Sequence, residues 1–171
     1  MATYKVGPLE RSANLIAKLF VRAGIGSEKT HLLTVVGRRT GRAHTTPVTV
    51  LALDGERWLV GPYGNVSWVQ NTRACGQVTL SRRGYRETLV AREVDAVTAA
   101  PILKAYLAIE PITRPAFKID PDASLHEWAS IAPKHPVFRL ERQGTPEHGR
   151  VVTGTRPREF DVGAKCAAMA A

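Results

Sequence analysis

The sequence predicts an α+β fold built around a small antiparallel barrel, closed or half-closed, and three observations carry that reading. Short apolar stretches through the middle of the chain are joined by tight turns. No regular crossover helix separates them. Helical patterning is confined to the N-terminus and to the region after the fifth strand. Strands joined by hairpins pair antiparallel, whereas parallel neighbours need crossovers of roughly a dozen residues or more. A chain of 171 residues, 44% hydrophobic and 23% charged, suits one globular domain and excludes a disordered or fibrous protein.

The elements follow in order. Residues 8–23 read as an amphipathic helix, opened by Pro8, with Leu9, Ala13, Ile16, Leu19 and Phe20 at helical spacing and Gly24 and Gly26 ending it. A strand from His31 to Gly37 leads into the turn Gly37-Arg-Arg-Thr-Gly-Arg42. A second strand, Thr45 to Leu53, meets the hairpin signal Asp54–Gly55 before a third from Arg57 to Gly61. The loop Pro62 to Asn65 precedes a short helix, Ser67 to Ala74. Strands Gln77–Ser81 and Tyr85–Asp95 flank the turn Arg82–Arg83–Gly84. Thr98 to Leu107 reads as a helix with Pro101 in its first turn. Asp122 or Ser124 caps another running to Ala132, and Pro136 to Arg142 is the last strand. The resulting division is an N-terminal helical segment (1–29), a barrel domain (30–143) and a loosely attached, Pro/Gly-rich tail (144–171).

The net charge of +9 is regional. Residues 37–92 hold nine arginines, no lysine and three acids, whereas residues 93–143 are close to neutral. Arginine grips phosphate or carboxylate with a planar fork, so the excess implies an anionic partner: nucleic acid, acidic lipid or a phosphate-bearing small molecule. No apolar run approaches a membrane span and no secretory core is present, so a cytoplasmic protein is expected. Cys75 and Cys166 lie far apart and fit neither a disulfide framework nor a zinc site, and the five histidines are dispersed; no metal is expected.

Three constellations stand out. In Gly37-Arg38-Arg39-Thr40-Gly41-Arg42, exposed amides, guanidinium forks and a hydroxyl could wrap phosphate oxygens, or the turn is a solvated hairpin. Gly24 to Thr30 imitates a phosphate loop but lacks the glycine before Lys29 and follows a helix, so it is rejected. Ser67-Trp68-x-x-Asn71 puts an indole and an amide on one helical face, either over a planar ring or as core and cap. Nucleophile elbow and carboxylate dyad are both missing, which fits chemistry carried by a bound cofactor.

Leu32-Leu-Thr-Val-Val-Gly-Arg-Arg-Thr-Gly-Arg42, then Thr45-Thr-Pro-Val48, Trp68-x-x-Asn71 and His135-Pro-Val-Phe138 together resemble the deazaflavin-dependent nitroreductase family. That family is a branch of the FMN-binding-split-barrel-like oxidoreductases, and the resemblance runs from about Leu32 to about Glu141. It implies an antiparallel split β-barrel with flanking helices that binds coenzyme F420, an 8-hydroxy-5-deazaflavin with a phospholactyl-polyglutamate tail. By resemblance, Arg38, Arg39, Thr40, Gly41 and Arg42 grip the phosphate and tail. Thr45, Thr46, Pro47 and Val48 run beside the ring and its ribityl chain. Tyr63, Gly64, Ser67, Trp68 and Asn71 close the other side, and the N-terminal helix, Tyr106 and the 110–132 segment shape the substrate pocket. The sequence departs from the family at Pro62–Tyr63, where some members carry Ser-Lys, and at Thr72 to Gly76.

The implied activity is hydride transfer from the reduced coenzyme to a quinone, nitroaromatic or enone, with Tyr63 or Tyr106 as proton donor. Alternatives are a non-catalytic carrier of the coenzyme, a fatty acid or haem, and an FMN-dependent relative. Nucleic acid is the disfavoured partner, since only Trp58, Tyr63, Trp68 and Tyr85 interleave with the basic residues. A small-molecule redox substrate is expected. The basic N-terminal helix leaves peripheral membrane contact open, beside ordinary packing on the barrel, and a homodimer is open too.

Overall fold

The computed structural model describes residues 28–142. The expected N-terminal helix and the tail from residue 144 lie outside the described residues. Six strands form one closed antiparallel barrel: β1 (Thr30–Val36), β2 (Ala43–Leu53), β3 (Glu56–Val60), β4 (Gln77–Arg82), β5 (Tyr85–Glu93) and β6 (Val137–Arg142), in the spatial order β1-β2-β3-β6-β5-β4. Hairpins set the β1–β2 register at Leu33↔Thr46, β2–β3 at Val50↔Leu59 and β4–β5 at Leu80↔Glu87. Closure comes from Leu33↔Leu80 between β1 and β4, Leu59↔Phe138 between β3 and β6, and Ala91↔Leu140 between β5 and β6.

Successive residues of a strand face opposite sides of its sheet, and here both sides of one half of the barrel are buried. Leu33, Val50, Leu59, Leu80, Leu89 and Phe138 fill the interior. Their neighbours Leu51, Trp58, Val60 and Val137 face outward into a second core with Leu103, Tyr106, Phe117 and Trp128. That is why β3 and the start of β6 read as unbroken apolar runs. Each large side chain so buried contributes about 1.5–3 kcal/mol relative to leaving it in water.

Helix α1 (Ser67–Cys75) ends at Gly76, which is left-handed at φ 69°. Helix α2 (Ala96–Ile109) begins two residues before the expected start. Asp95 is its cap, Oδ1 accepting from the Thr98 N–H at 2.8 Å, and Pro101 therefore sits in the second turn on the exposed side. Between α2 and the next helix the sequence had predicted nothing regular, yet a 3₁₀ turn (Pro111–Thr113) and the short α3 (Arg114–Phe117) fill the gap; both are too brief for a periodic signal. Ser124, not Asp122, caps α4 (Leu125–Ile131), through a capping box with Glu127, and a second 3₁₀ turn (Ala132–Lys134) leads into β6. Cys75, which the spacing of the two cysteines left without a disulfide role, is disulfide-bonded. Separation along a chain does not limit proximity across a fold. No helix among the described residues is long and apolar enough to cross a membrane.

Candidate active site

The turn between β1 and β2 is built by its own backbone. Gly37 donates to Arg42 O at 2.8 Å, and Thr40 and Gly41 donate to Gly37 O at 3.2 and 2.8 Å. Gly41 is left-handed at φ 65°. A Cβ at Gly37 would stand 2.8 Å from His44 Nε2 and 3.0 Å from Thr40 Oγ1, so a larger residue there would have to push those exposed side chains aside. The amides expected to cradle phosphate are thus largely spent inside the turn. What remains available to an anion is the side-chain set: the exposed Arg39, Thr40 and Arg42.

Arg38 has a different task. Its backbone N–H and Nη1 both donate to Asn71 Oδ1, at 3.3 and 2.8 Å, and Nη2 donates to Gln70 Oε1. Asn71 is only 5% exposed, so the contact fixes the turn against α1. Gln70 in turn donates Nε2 to Asn65 O at 2.8 Å, tying in the loop before the helix. Three of the nine arginines of the basic region are neutralised elsewhere: Arg57 by Glu87, Arg73 by Glu93 and Arg92 by Glu141. Arg38, Arg39 and Arg42 form no ion pair with any described acid, and the turn keeps its positive charge.

Trp68 is half-buried against the barrel core, 6.0 Å from the Phe138 ring. Ser67, at the start of α1, is exposed. The run Thr45-Thr46-Pro47-Val48 is divided by strand alternation. Thr45 and Pro47 share the face of Thr49 and Leu51, and Thr34 and Thr45 exchange a hydroxyl hydrogen bond at 2.9 Å. Thr46 and Val48 share the interior face of Val50. A flat ring meets one of these pairs, not both.

Tyr63 and Gly64 line a cavity of about 770 Å³ together with Pro62, Val66, Ala116, Phe117, Lys118, Ile131, Lys134 and His135. The loop after β3 forms one wall; α3 and the approach to β6 form the other. The two walls meet where a Cβ on Gly64, at φ 74°, would stand 3.0 Å from Lys134 O. Tyr63 is 68% exposed at the rim. His135 is 6% exposed, its Nδ1 donating to Pro62 O at 2.9 Å and its ring 4.6 Å from Phe117. Burial, with Lys134 acting in the same direction, lowers its pKa below the ordinary histidine value, so the imidazole is neutral at neutral pH.

Tyr106 does not line this cavity. It is 5% exposed in the outer core beside Phe117 and Thr49, whose hydroxyl donates to Glu110 Oε1 at 2.7 Å. Burial first, then Glu110 and Tyr63, hold the phenol well above its usual range, which makes it a poor acid.

Two groups of site residues escaped sequence reasoning. Gln70 lies inside the Trp68-to-Asn71 spacing that drew notice to its neighbours. His135 was noted only as part of the motif His135-Pro-Val-Phe138 and Lys118 only within the 110–132 segment, neither with a role of its own, and Lys134 was not singled out.

The donor set fits coenzyme F420. Two exposed guanidinium groups with no ion pair among the described residues, and a hydroxyl, suit a phosphate with a carboxylate tail, and they sit on a turn pinned to the helix that bears the indole.

A model of the F420H(2)-dependent quinone reductase family matches residues 17–111. Among solved structures the chain is similar to a protein of unknown function from Agrobacterium tumefaciens str. C58, at 20% identity and TM-score 0.50 over 84% of this chain and 60% of that one. It is similar as well to an F420-H2 dependent reductase, at 19% identity and TM-score 0.48 over 67% of this chain and 95% of that one. A NimC/NimA family protein from Clostridium acetobutylicum matches at 13% identity and TM-score 0.47, over 66% of this chain and 73% of that one. No curated protein matches. The family match spans more than half of the 171 residues, and with the closed antiparallel barrel it makes this chain an oxidoreductase that belongs to the F420H(2)-dependent quinone reductase family.

Proposed function

We propose that the turn Gly37 to Arg42 seats the phosphate and acidic tail of coenzyme F420, and that the 770 Å³ cavity admits the electron acceptor. The observation that carries this reading is the double hydrogen bond from Arg38 to Asn71, which joins an uncompensated arginine turn to the helix of Trp68. Arg39, Arg42 and the Thr40 hydroxyl bind the anionic groups, Gly41 permits the bend, and Arg38 holds the turn in place. Trp68, backed by Phe138, positions the ring system, with Ser67 and one face of the Thr45–Val48 strand beside it. When bound, the reduced deazaflavin supplies a hydride.

Tyr63 and Gly64 belong to the wall between coenzyme and acceptor. The exposed Tyr63 hydroxyl delivers a proton to the reduced acceptor, and Tyr106 supports that wall from the core. The apolar lining from Val66, Phe117 and Ile131 excludes water and accepts a flat ring. Nitroaromatics and activated enones are proposed as acceptors beside quinones. Peripheral membrane contact and a homodimer form part of the proposal and are read by vesicle sedimentation and light scattering.

The test is a titration of the purified protein with coenzyme F420, followed by absorbance and fluorescence, then turnover of menadione with the reduced coenzyme. Micromolar binding and turnover are expected. Binding without turnover of any acceptor would turn the reading into a carrier, and absence of binding would remove it.

A further inference from the structure

We infer that the cavity between the loop after β3 and the approach to β6 is built for one ligand class: a flat aromatic acid that also carries a hydroxyl donor. A carbonyl only accepts, so the contact of His135 with Pro62 O puts the proton on Nδ1 and leaves the lone pair on Nε2. Nε2 forms no hydrogen bond with any described residue. It is also not one of the sealed, unpartnered polar atoms, which are Trp58 Nε1, Arg82 Nη2 and Trp128 Nε1. Open space therefore reaches it, and His135 lines the cavity. An acceptor that faces the cavity and has no partner among the described residues favours ligands that bring a donor.

The second half of the site is cationic. Lys118 and Lys134 both line the cavity, and neither forms an ion pair with a described acid. Lys118 follows Phe117 as the left-handed C-cap of α3, at φ 51°. Phe117, whose ring lies 4.6 Å from that of His135 and is tilted to it by 44°, and Ile131 supply apolar walls for a ring. No carboxylate lines the cavity to oppose an acid. The ligand thus donates a hydroxyl to His135 Nε2, lays its ring along Phe117 and presents its carboxylate to the two ammonium groups.

The inference rests on the acceptor-pocket reading only in its consequence for turnover, that such acids compete with menadione. Binding itself is read on the full chain without coenzyme. The probe is 6-hydroxy-2-naphthoate, titrated by its fluorescence at pH 8 against 2-naphthoate, which lacks the donor, and 2-naphthol, which lacks the acid. The hydroxy acid is expected to bind at least about tenfold more tightly than either, as one charge-assisted or buried hydrogen bond provides. His135→Asn keeps a donor for Pro62 O and removes Nε2; it should abolish the preference over 2-naphthoate alone. Lys118→Gln with Lys134→Gln should abolish the preference over 2-naphthol alone. Equal affinity for all three probes on the unaltered protein, or no binding, overturns the inference without recourse to any variant. Menadione turnover with indiscriminate naphthoate binding sinks this inference and leaves the proposed function standing. Selective naphthoate binding without turnover does the reverse.

Discussion

Asn71 Oδ1 receives two hydrogen bonds from one residue, the backbone N–H of Arg38 at 3.3 Å and its Nη1 at 2.8 Å. The amide is almost wholly buried and the guanidinium is exposed, so a surface charge is anchored by an interior group. Asn71→Ala leaves those donors without their acceptor and should lower stability by about 1–3 kcal/mol in urea or thermal unfolding. In a double-mutant cycle with Arg38→Ala the two changes should couple by about 0.5–3 kcal/mol. Additivity within experimental scatter would show that the turn and α1 are independent.

Arg39 and Arg42 form no ion pair with a described acid, so their removal should leave folding unchanged within about 0.5 kcal/mol. Coenzyme affinity should fall roughly tenfold or more for each alanine variant, and its salt dependence should flatten. Arg92→Ala, which removes a cation paired with Glu141, is the control and should bind normally. Calorimetry at two ionic strengths separates the cases.

Tyr63 and Tyr106 should part company. Tyr106→Phe removes a hydroxyl placed beside Thr49 in the core, and turnover should stay within about twofold while stability drops by about 0.5–1.5 kcal/mol. Tyr63→Phe should leave stability intact and lower kcat by on the order of tenfold, less than a sealed general acid because water reaches the rim. The opposite pattern would move the proton donor to the core.

His135 makes stability depend on pH. Its folded pKa lies below the unfolded value near 6.5, so the unfolded chain binds more protons as the pH falls. Stability should be fully present above about pH 6.5 and decline on acidification until the folded pKa is passed. His135→Asn should flatten melting temperature against pH across that window. An unchanged slope would place the titration elsewhere.

Gly64 combines a φ of 74° with a carbonyl 3.0 Å from where its Cβ would lie. Gly64→Ala should cost about 1–3 kcal/mol and loosen the two cavity walls, read as weaker 6-hydroxy-2-naphthoate binding together with a lower melting temperature.

Much of this architecture was legible before any coordinates. The Asp54–Gly55 hairpin, the Arg82–Gly84 turn and the strand boundaries follow from local chemistry, and each lies within two residues of its expected place. The Asp95 cap shifted the start of α2 because capping oxygen outweighed the N-terminal preference of Pro101. At the site, the arginine turn and the Trp68–Asn71 pair were visible as residues, but their link through Arg38 is a contact across 33 positions that no local pattern encodes. The spent amides of the turn, the division of Thr45–Val48 between two faces, and the burial of Tyr106 are likewise products of the tertiary fold.

The spatial order of the strands has a consequence for biogenesis. β6 is the last of the described strands in sequence, yet it lies between β3 and β5. Until Val137 to Arg142 leave the ribosome, those two strands present bare edges able to recruit a neighbouring nascent chain. Slow translation or a stall upstream of Val137 should therefore favour aggregation, and a chaperone that shields strand edges would act on this polypeptide until β6 has emerged.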